Sequence, residues 1–234
     1  MRALATAALD LFFPAVCPLC SSRLGPGRRD PVCGTCWASF VRLAPPFCTA
    51  CGVPVPSDAL ARCEACRDAA PPFDYARAAA SYGGTVRDAV HALKFGGRRS
   101  LARPLGDLII EHCAGALTAP DAFVPVPLAR ARERERGFNQ AGLLAARLGE
   151  RLGVRVRPRW LVRLRATAAQ SELSAAERRD NVADAFAAAP AVAGRDVVVI
   201  DDVITTGATV GECARALHAA GARRVGVLAV ARVL

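Results

Sequence analysis

Thirteen consecutive residues, Val197 to Thr209, read VVVIDDVITTGAT and concentrate groups able to do chemistry. Two carboxylates, Asp201 and Asp202, directly follow four apolar residues, and Thr205, Thr206, Gly207, Ala208 and Thr209 come soon after. Adjacent carboxylates at one site repel, and one is pushed toward protonation unless a cation or a donor engages it. Sugar hydroxyls and Mg2+ are suitable partners, the ion taking oxygen ligands and keeping several waters. The Thr-Thr-Gly-Ala-Thr run supplies hydroxyl donors, and its glycine lets backbone N–H groups approach closely. At the start of a helix, that combination holds a phosphate dianion without a lysine. A lone Asp-Asp would suit a solvated turn with a capping acid; the whole string points to a phosphorylated sugar.

A second set of chemical groups lies at the other end of the chain. Eight of the ten cysteines form four C-x-x-C pairs: Cys17/Cys20, Cys33/Cys36, Cys48/Cys51 and Cys63/Cys66. A C-x-x-C turn points two sulfurs at one tetrahedral Zn2+, so four pairs imply two structural zinc ions. The plan C-x-x-C, spacer, C-x-x-C occurs twice, which favours two tandem ribbons over a cross-braced arrangement, although spacing alone leaves both open. A disulfide framework is the alternative, disfavoured because nothing indicates export. Metal would supply much of the stability of so short and turn-rich a segment. Cys113 and Cys213 stand alone in helical patterns and read as buried small apolar residues.

Charge narrows the choice of ligand. The net charge is +10. Between residues 124 and 180 thirteen arginines face six acids, so most of the excess lies in that stretch. Arg130, Arg132, Arg134, Arg136, Arg163, Arg165, Arg178 and Arg179 are candidate polyphosphate ligands, most of them expected to remain solvated surface. Lys94 is the one lysine, which suggests a place where a compact cation is wanted or a chance survivor of an arginine-rich composition. Neither G-x-x-x-x-G-K-[ST] nor a G-x-G-x-x-G after a strand is present, which disfavours Walker-type and dinucleotide sites.

The elements that must position these groups follow from periodicity. The pattern predicts strands over Ala76–Tyr82, Ala122–Pro127, Arg195–Ile200 and Arg223–Val230. It predicts helices over Thr85–Phe95, Leu101–Cys113, Phe138–Leu152 and Thr209–Ala220, the last ended by Gly221. Strands alternating with helices give an α/β fold, a mostly parallel sheet covered on both faces. In such sheets ligands lie beyond the carboxyl ends of the strands, where Asp201 and Asp202 fall. A zinc-ribbon segment over residues 1–70 would precede this domain over 71–234. Asp10 interrupts the apolar N-terminus, no small-residue cleavage pattern follows, and Leu4, Ala8, Leu11 and Phe12 share a helical stripe, so a cytoplasmic protein is expected. No apolar run is long enough to span a membrane.

VVVIDDVITTGAT resembles the phosphoribosyl pyrophosphate signature of type I phosphoribosyltransferases. HALKFGGRRSLARPLGDLI at His91 to Ile110, VPVPL at Val124 to Leu128, RERGFNQA at Arg134 to Ala141, and Gln170 with Arg179-Asp180-Asn181-Val182 and Phe186 make the chain similar to the ComF family. That family joins an N-terminal zinc-binding segment to such a domain and includes competence proteins of DNA uptake. The resemblance covers essentially the entire chain and implies a type I phosphoribosyltransferase-like sheet that binds phosphoribosyl pyrophosphate with Mg2+. It implies that Asp201 and Asp202, the catalytic candidates, bind the ribose hydroxyls, and that Thr205 to Thr209 hold the 5-phosphate. The loop after Val124–Pro127 would meet the pyrophosphate, Arg165 to Asn181 would include a closing hood, and Lys94, Arg130, Arg136, Gln170 and Arg179 would complete the substrate site.

Three functional readings follow: a transferase with an undefined acceptor, a non-catalytic phosphoribosyl pyrophosphate-binding module, and a protein that handles single-stranded DNA through its ribbons and arginines. DNA-uptake proteins are the partners that the resemblance implies. Tyr82, Phe95 and Phe138 could stack on a base, though each reads more readily as core.

Overall fold

The structure is a computed structural model that describes residues 15–25, 30–165 and 182–234. Two short helices, α1 (Gly34–Ala38) and α2 (Glu64–Asp68), belong to the cysteine-rich region. After them come β1 (Tyr75–Ser81), α3 (Gly84–Lys94), α4 (Ala102–Cys113), β2 (Ala122–Pro125), α5 (Arg130–Arg136), α6 (Gln140–Leu152) and β3 (Arg155–Val156). The chain continues through β4 (Leu161–Arg163), β5 (Phe186–Ala188), β6 (Asp196–Ile204), α7 (Ala208–Ala219) and β7 (Arg224–Arg232). Five strands form one parallel sheet in the order β1-β7-β6-β2-β3, and β4 pairs with β5 in a separate antiparallel ribbon.

Alternation along β6 shows why the sheet is covered on both faces. Val198 and Ile200 pack with Phe123, Leu105, Leu108, Leu144 and Leu148, and so against α4 and α6. Val197 and Val199 point the other way, to Val210, Cys213, Ala214 and Leu217 of α7. Successive side chains of a strand face opposite sides, so a run of four apolar residues needs a helix layer on each. Full burial of a side chain such as Leu144 or Leu217 contributes about 1.5–3 kcal/mol.

Most expected elements appear within a residue or two of their expected bounds, and three differences bear on function. β6 runs on to Ile204, because Asp201 and Ile204 stay in register with Ala229 and Arg232 of β7. The acids therefore lie within the strand and not in the turn after it. α6 begins at Gln140, not Phe138, because the Asn139 carboxamide oxygen caps it by accepting from the Ala141 and Gly142 N–H groups. β2 ends at Pro125; Val126 still donates to the Ile200 carbonyl at 3.0 Å, and Pro127 has no N–H to continue.

The cysteine-rich region is docked on the sheet. Backbone bonds from Leu43 to the Ala79 carbonyl, from Ser81 to Val41 and from Ala76 to Ala50 run along the outer edge of β1. They occupy polar groups that an edge strand would otherwise present to other chains. Gly52 makes this approach feasible: its φ is +74°, and a Cβ there would lie 2.1 Å from the Ala76 carbonyl oxygen.

Candidate functional site

The cysteines fall into two tetrads, Cys17/Cys20/Cys33/Cys36 and Cys48/Cys51/Cys63/Cys66, with the sulfurs of each within 4.8 Å of one another. The pairing is sequential, each ribbon closing its own site. Four thiolates at a Zn–S distance of about 2.3 Å have S···S edges of about 3.8 Å. The Cys20–Cys33 and Cys51–Cys63 sulfur separations of 3.6 and 3.7 Å fit that tetrahedron. The donor set is thus that of two closed structural zinc sites. The Cys36 N–H lies over the Cys33 sulfur and holds that thiol down to about 6, which favours the thiolate that zinc needs. All ten cysteines are free, and burial pushes the lone Cys113 thiol up to about 12, so it is an inert core residue. Cys213 is fully buried as well.

The second site is a cleft of about 1220 Å³ beyond the carboxyl ends of the parallel strands. β6, the turn after it and the start of α7 line it with Asp201, Asp202, Thr205, Gly207 and Thr209; the segment after β2 adds Val126, Pro127 and Leu128. α3 contributes His91 and Lys94 and its C-cap residue Phe95, α5 contributes Arg132 and Arg136, and β4 contributes Arg163. The loop crosses from strand to helix at Gly207, whose φ of +80° at the N-cap of α7 suits glycine. Gly207, at the N-cap of α7, has no side chain with which to cap the helix, and the Ala208 N–H makes a long contact of 3.4 Å to Thr206 Oγ1.

Electrostatics centre on the acid pair. Asp201 and Asp202 are both buried, and Asp201 Oδ1 accepts the Asp202 N–H at 2.8 Å. Burial, reinforced by the Asp202 charge, pushes the Asp201 carboxyl well above the usual range. Burial also acts on Asp202, but the Lys94 ammonium bonded to it outweighs that effect and holds Asp202 below its ordinary value. The same ion pair overcomes the burial of Lys94 and raises its ammonium. Burial lowers the guanidinium of Arg136, opposed by Asp202, and Arg136 donates to Gln140 Oε1 and stacks 5.1 Å from the Phe95 ring centroid. Burial lowers Arg163 too; it lies 5.3 Å from the Phe186 ring centroid.

The expected site residues divide accordingly. Asp201, Asp202, Thr205, Gly207, Thr209, Lys94 and Arg136 share the cleft, with Thr206 and Ala208 in the same turn. Arg130 instead lines a separate shallow depression with Glu133, Arg134, Gly137 and Phe138. Gln170 and Arg179 lie outside the described residues. Tyr82 and His91, paired through the Tyr82 hydroxyl and His91 Nε2 at 3.1 Å, line the cleft as well. His91 and Gln140 are not legible as site residues in the sequence, although His91 lies three residues before Lys94 on one helical face, a spacing that could have marked it. Phe95, read as core, is 72% exposed at the cleft, whereas Phe138 is buried as expected.

Two family models match the chain. The double zinc ribbon domain matches residues 8–68, and the phosphoribosyl transferase domain matches residues 134–233. The chain is 35% identical over 229 residues to the DNA utilization protein YhgH of Escherichia coli O6:H1, covering 96% of this chain and 100% of that protein. It is 30% identical to Competence protein F of Haemophilus influenzae, covering 94% of this chain and 98% of that protein. Among solved structures, a glutamine phosphoribosylpyrophosphate amidotransferase from B. subtilis complexed with ADP and GMP aligns at 24% identity and a TM-score of 0.39. That alignment covers 55% of this chain and 26% of the larger one. No helix among the described residues is long and apolar enough to cross a membrane.

Proposed function

The chain belongs to the ComF family, and from that membership we propose that its phosphoribosyltransferase-type domain binds phosphoribosyl pyrophosphate with Mg2+ in the cleft at the end of β6. The observation that carries this reading is the placement of Asp201 and Asp202, side by side and buried, just before the glycine turn that starts α7. Two carboxyl groups present acceptors to a vicinal ribose diol. The Thr205 to Thr209 turn presents hydroxyls and N–H groups to the 5-phosphate. Strand end, turn and helix start are contiguous in the chain, so one sugar phosphate would address both groups.

The remaining parts follow from what lines the cleft. Val126, Pro127 and Leu128 border the place for the pyrophosphate, and Arg132 and Arg136 bring positive charge to that side. Mg2+ would neutralise the pyrophosphate oxygens and keep water in its remaining positions. Loss of pyrophosphate leaves an oxocarbenium-like anomeric carbon, so the protein's part in transfer would be positioning, charge stabilisation and exclusion of water. The β4–β5 ribbon pairs Leu161–Arg163 with Phe186–Ala188, and of the hood that the resemblance implies over Arg165 to Asn181, residues 166–181 lie outside the described residues. The segment leading into β5 is tied to α7, since Glu212 Oε1 accepts the Asp184 N–H at 2.9 Å.

Release of pyrophosphate from phosphoribosyl pyrophosphate, screened against mixtures of amine and nucleobase acceptors, separates a transferase from a binding module. Acceptor-dependent release lost in Asp201→Asn/Asp202→Asn supports transfer; tight binding with no release under any mixture supports the non-catalytic module.

A second reading has its own observation. Arg99 stacks 4.8 Å from the Phe138 ring centroid and donates to the Gly137 carbonyl, next to the Arg136–Phe95 stack and the arginines of α5. Basic side chains interleaved with aromatics suit single-stranded nucleic acid, in keeping with the names of the relatives. Binding of an oligonucleotide that weakens steeply with salt would support it; flat or absent binding at low salt would remove it.

A further inference from the structure

Helix α3 delivers a single ammonium group to the acid pair. Lys94 is one lysine among 31 lysines and arginines, and its Nζ is bonded to Asp202 Oδ2. Its side chain is 21% exposed and that of Asp202 4%, so the pair lies at the floor of the cleft with the cation on the open side. Asp201 meanwhile accepts the Asp202 N–H within the strand.

The choice of lysine is physically specific. A guanidinium is planar and would span both carboxylate oxygens through its fork, whereas an ammonium is a compact point charge. An ammonium on one oxygen of Asp202 does not span both edges of the carboxylate as a guanidinium fork would, and Asp202 still lines the cleft. Arg136 and Arg163 also line the cleft, but each is engaged elsewhere, Arg136 with Gln140 and the Phe95 ring, Arg163 with the Arg165 carbonyl and the Phe186 ring. The carboxylate that a divalent ion would otherwise have to neutralise is already paired from within the chain.

We infer that Lys94 is a built-in counter-cation for the sugar half of the site: it holds Asp202 as an acceptor for a ribose hydroxyl, so ribose 5-phosphate binds without a divalent ion. Metal is then needed only for the pyrophosphate. This rests on the phosphoribosyl reading given above. Lys94 is a positioning residue in this role, and its signature is the metal dependence of binding rather than of turnover.

Calorimetric titration of the zinc-loaded full chain with ribose 5-phosphate tests it, in buffer freed of divalent ions by resin and again with millimolar Mg2+. A soluble chelator is avoided because it would strip the ribbons. The wild type is expected to bind with affinities within about threefold of each other in the two buffers. Lys94→Met is expected to lose about tenfold or more without metal and to recover part of that with Mg2+. Lys94→Gln, which keeps a donor and removes the charge, gives the same readout if Lys94→Met fails to fold. Wild-type binding of ribose 5-phosphate that needs Mg2+, or metal-free binding by both variants equal to wild type, overturns the role of Lys94. In either case Mg2+-dependent binding of phosphoribosyl pyrophosphate by the same sample leaves the site itself standing. If the wild type binds neither ligand in either buffer, the phosphoribosyl reading falls, and this inference with it.

Discussion

Replacing Asp201 by asparagine should change how stability depends on pH, in a direction set by the raised carboxyl. Asp201 has an ordinary value of 3.8 and is pushed well above it in the folded chain by burial and by Asp202. Between 3.8 and the raised value, the folded chain keeps a proton that the unfolded chain has released. Stability contributed by a raised group is fully present below the unfolded value and is lost as pH rises through the folded value. Within that window one differentially bound proton makes stability fall by up to about 1.4 kcal/mol per pH unit. An asparagine side chain at this position binds no proton in either state, so the variant lacks this slope. For a chain of this size, about 1 kcal/mol moves the melting temperature by about 2–4 °C. The assay is the melting temperature of wild type and Asp201→Asn, both zinc-loaded, at half-unit steps upward from about pH 5. Proton release on zinc binding is common to both proteins and cancels in the difference. The wild type should lose ground relative to the variant as pH rises, by about 3–5 °C per unit at most. Parallel curves would refute the account of a protonated, buried Asp201.

Other perturbations have equally definite outcomes. Gly52→Ala places a methyl group against the Ala76 carbonyl at a φ of +74°, and should cost about 2 kcal/mol or more, read as a lower denaturant midpoint. Metal analysis of reductively purified protein should give two zinc ions per chain, falling to one in Cys51→Ser and remaining two in Cys113→Ser; zinc-free, fully folded protein would sink the ribbon assignment. Chelation should uncover the outer edge of β1 and bring aggregation, followed by light scattering, in step with zinc loss. Leu217→Ala should destabilise by about 2–5 kcal/mol, since that side chain is fully buried between α7 and the sheet.

Much of this organisation is readable along the chain, and the exceptions have a common physical origin. The strand-to-helix turn at Thr205–Gly207 and the two cysteine tetrads are visible because each depends on neighbours in sequence. The continuation of β6 through Asp201–Ile204 is not, because adjacent acids read as the start of a loop until β7 supplies pairing across Ala229 to Arg232. Arg130–Arg136 forms a helix closed by Gly137 in the left-handed conformation, yet its sequence RARERER shows no apolar stripe to announce it. The docking of residues 41–52 along β1 depends on backbone groups that meet only in three dimensions. Phe95 illustrates the same limit: its helix is predicted, but its exposure and its stacking partner Arg136, which arrives from α5, are set by the fold. Lys94 stands out by its rarity, and only the fold reveals Asp202 as its partner.

The most direct test of the central claim is a titration of the zinc-loaded chain with phosphoribosyl pyrophosphate and Mg2+, repeated on Asp201→Asn/Asp202→Asn. The account expects saturable one-to-one binding by the wild type and loss of that binding in a variant whose circular dichroism and zinc content are unchanged. No binding by the folded wild type, or binding that persists undiminished in the variant, would contradict it.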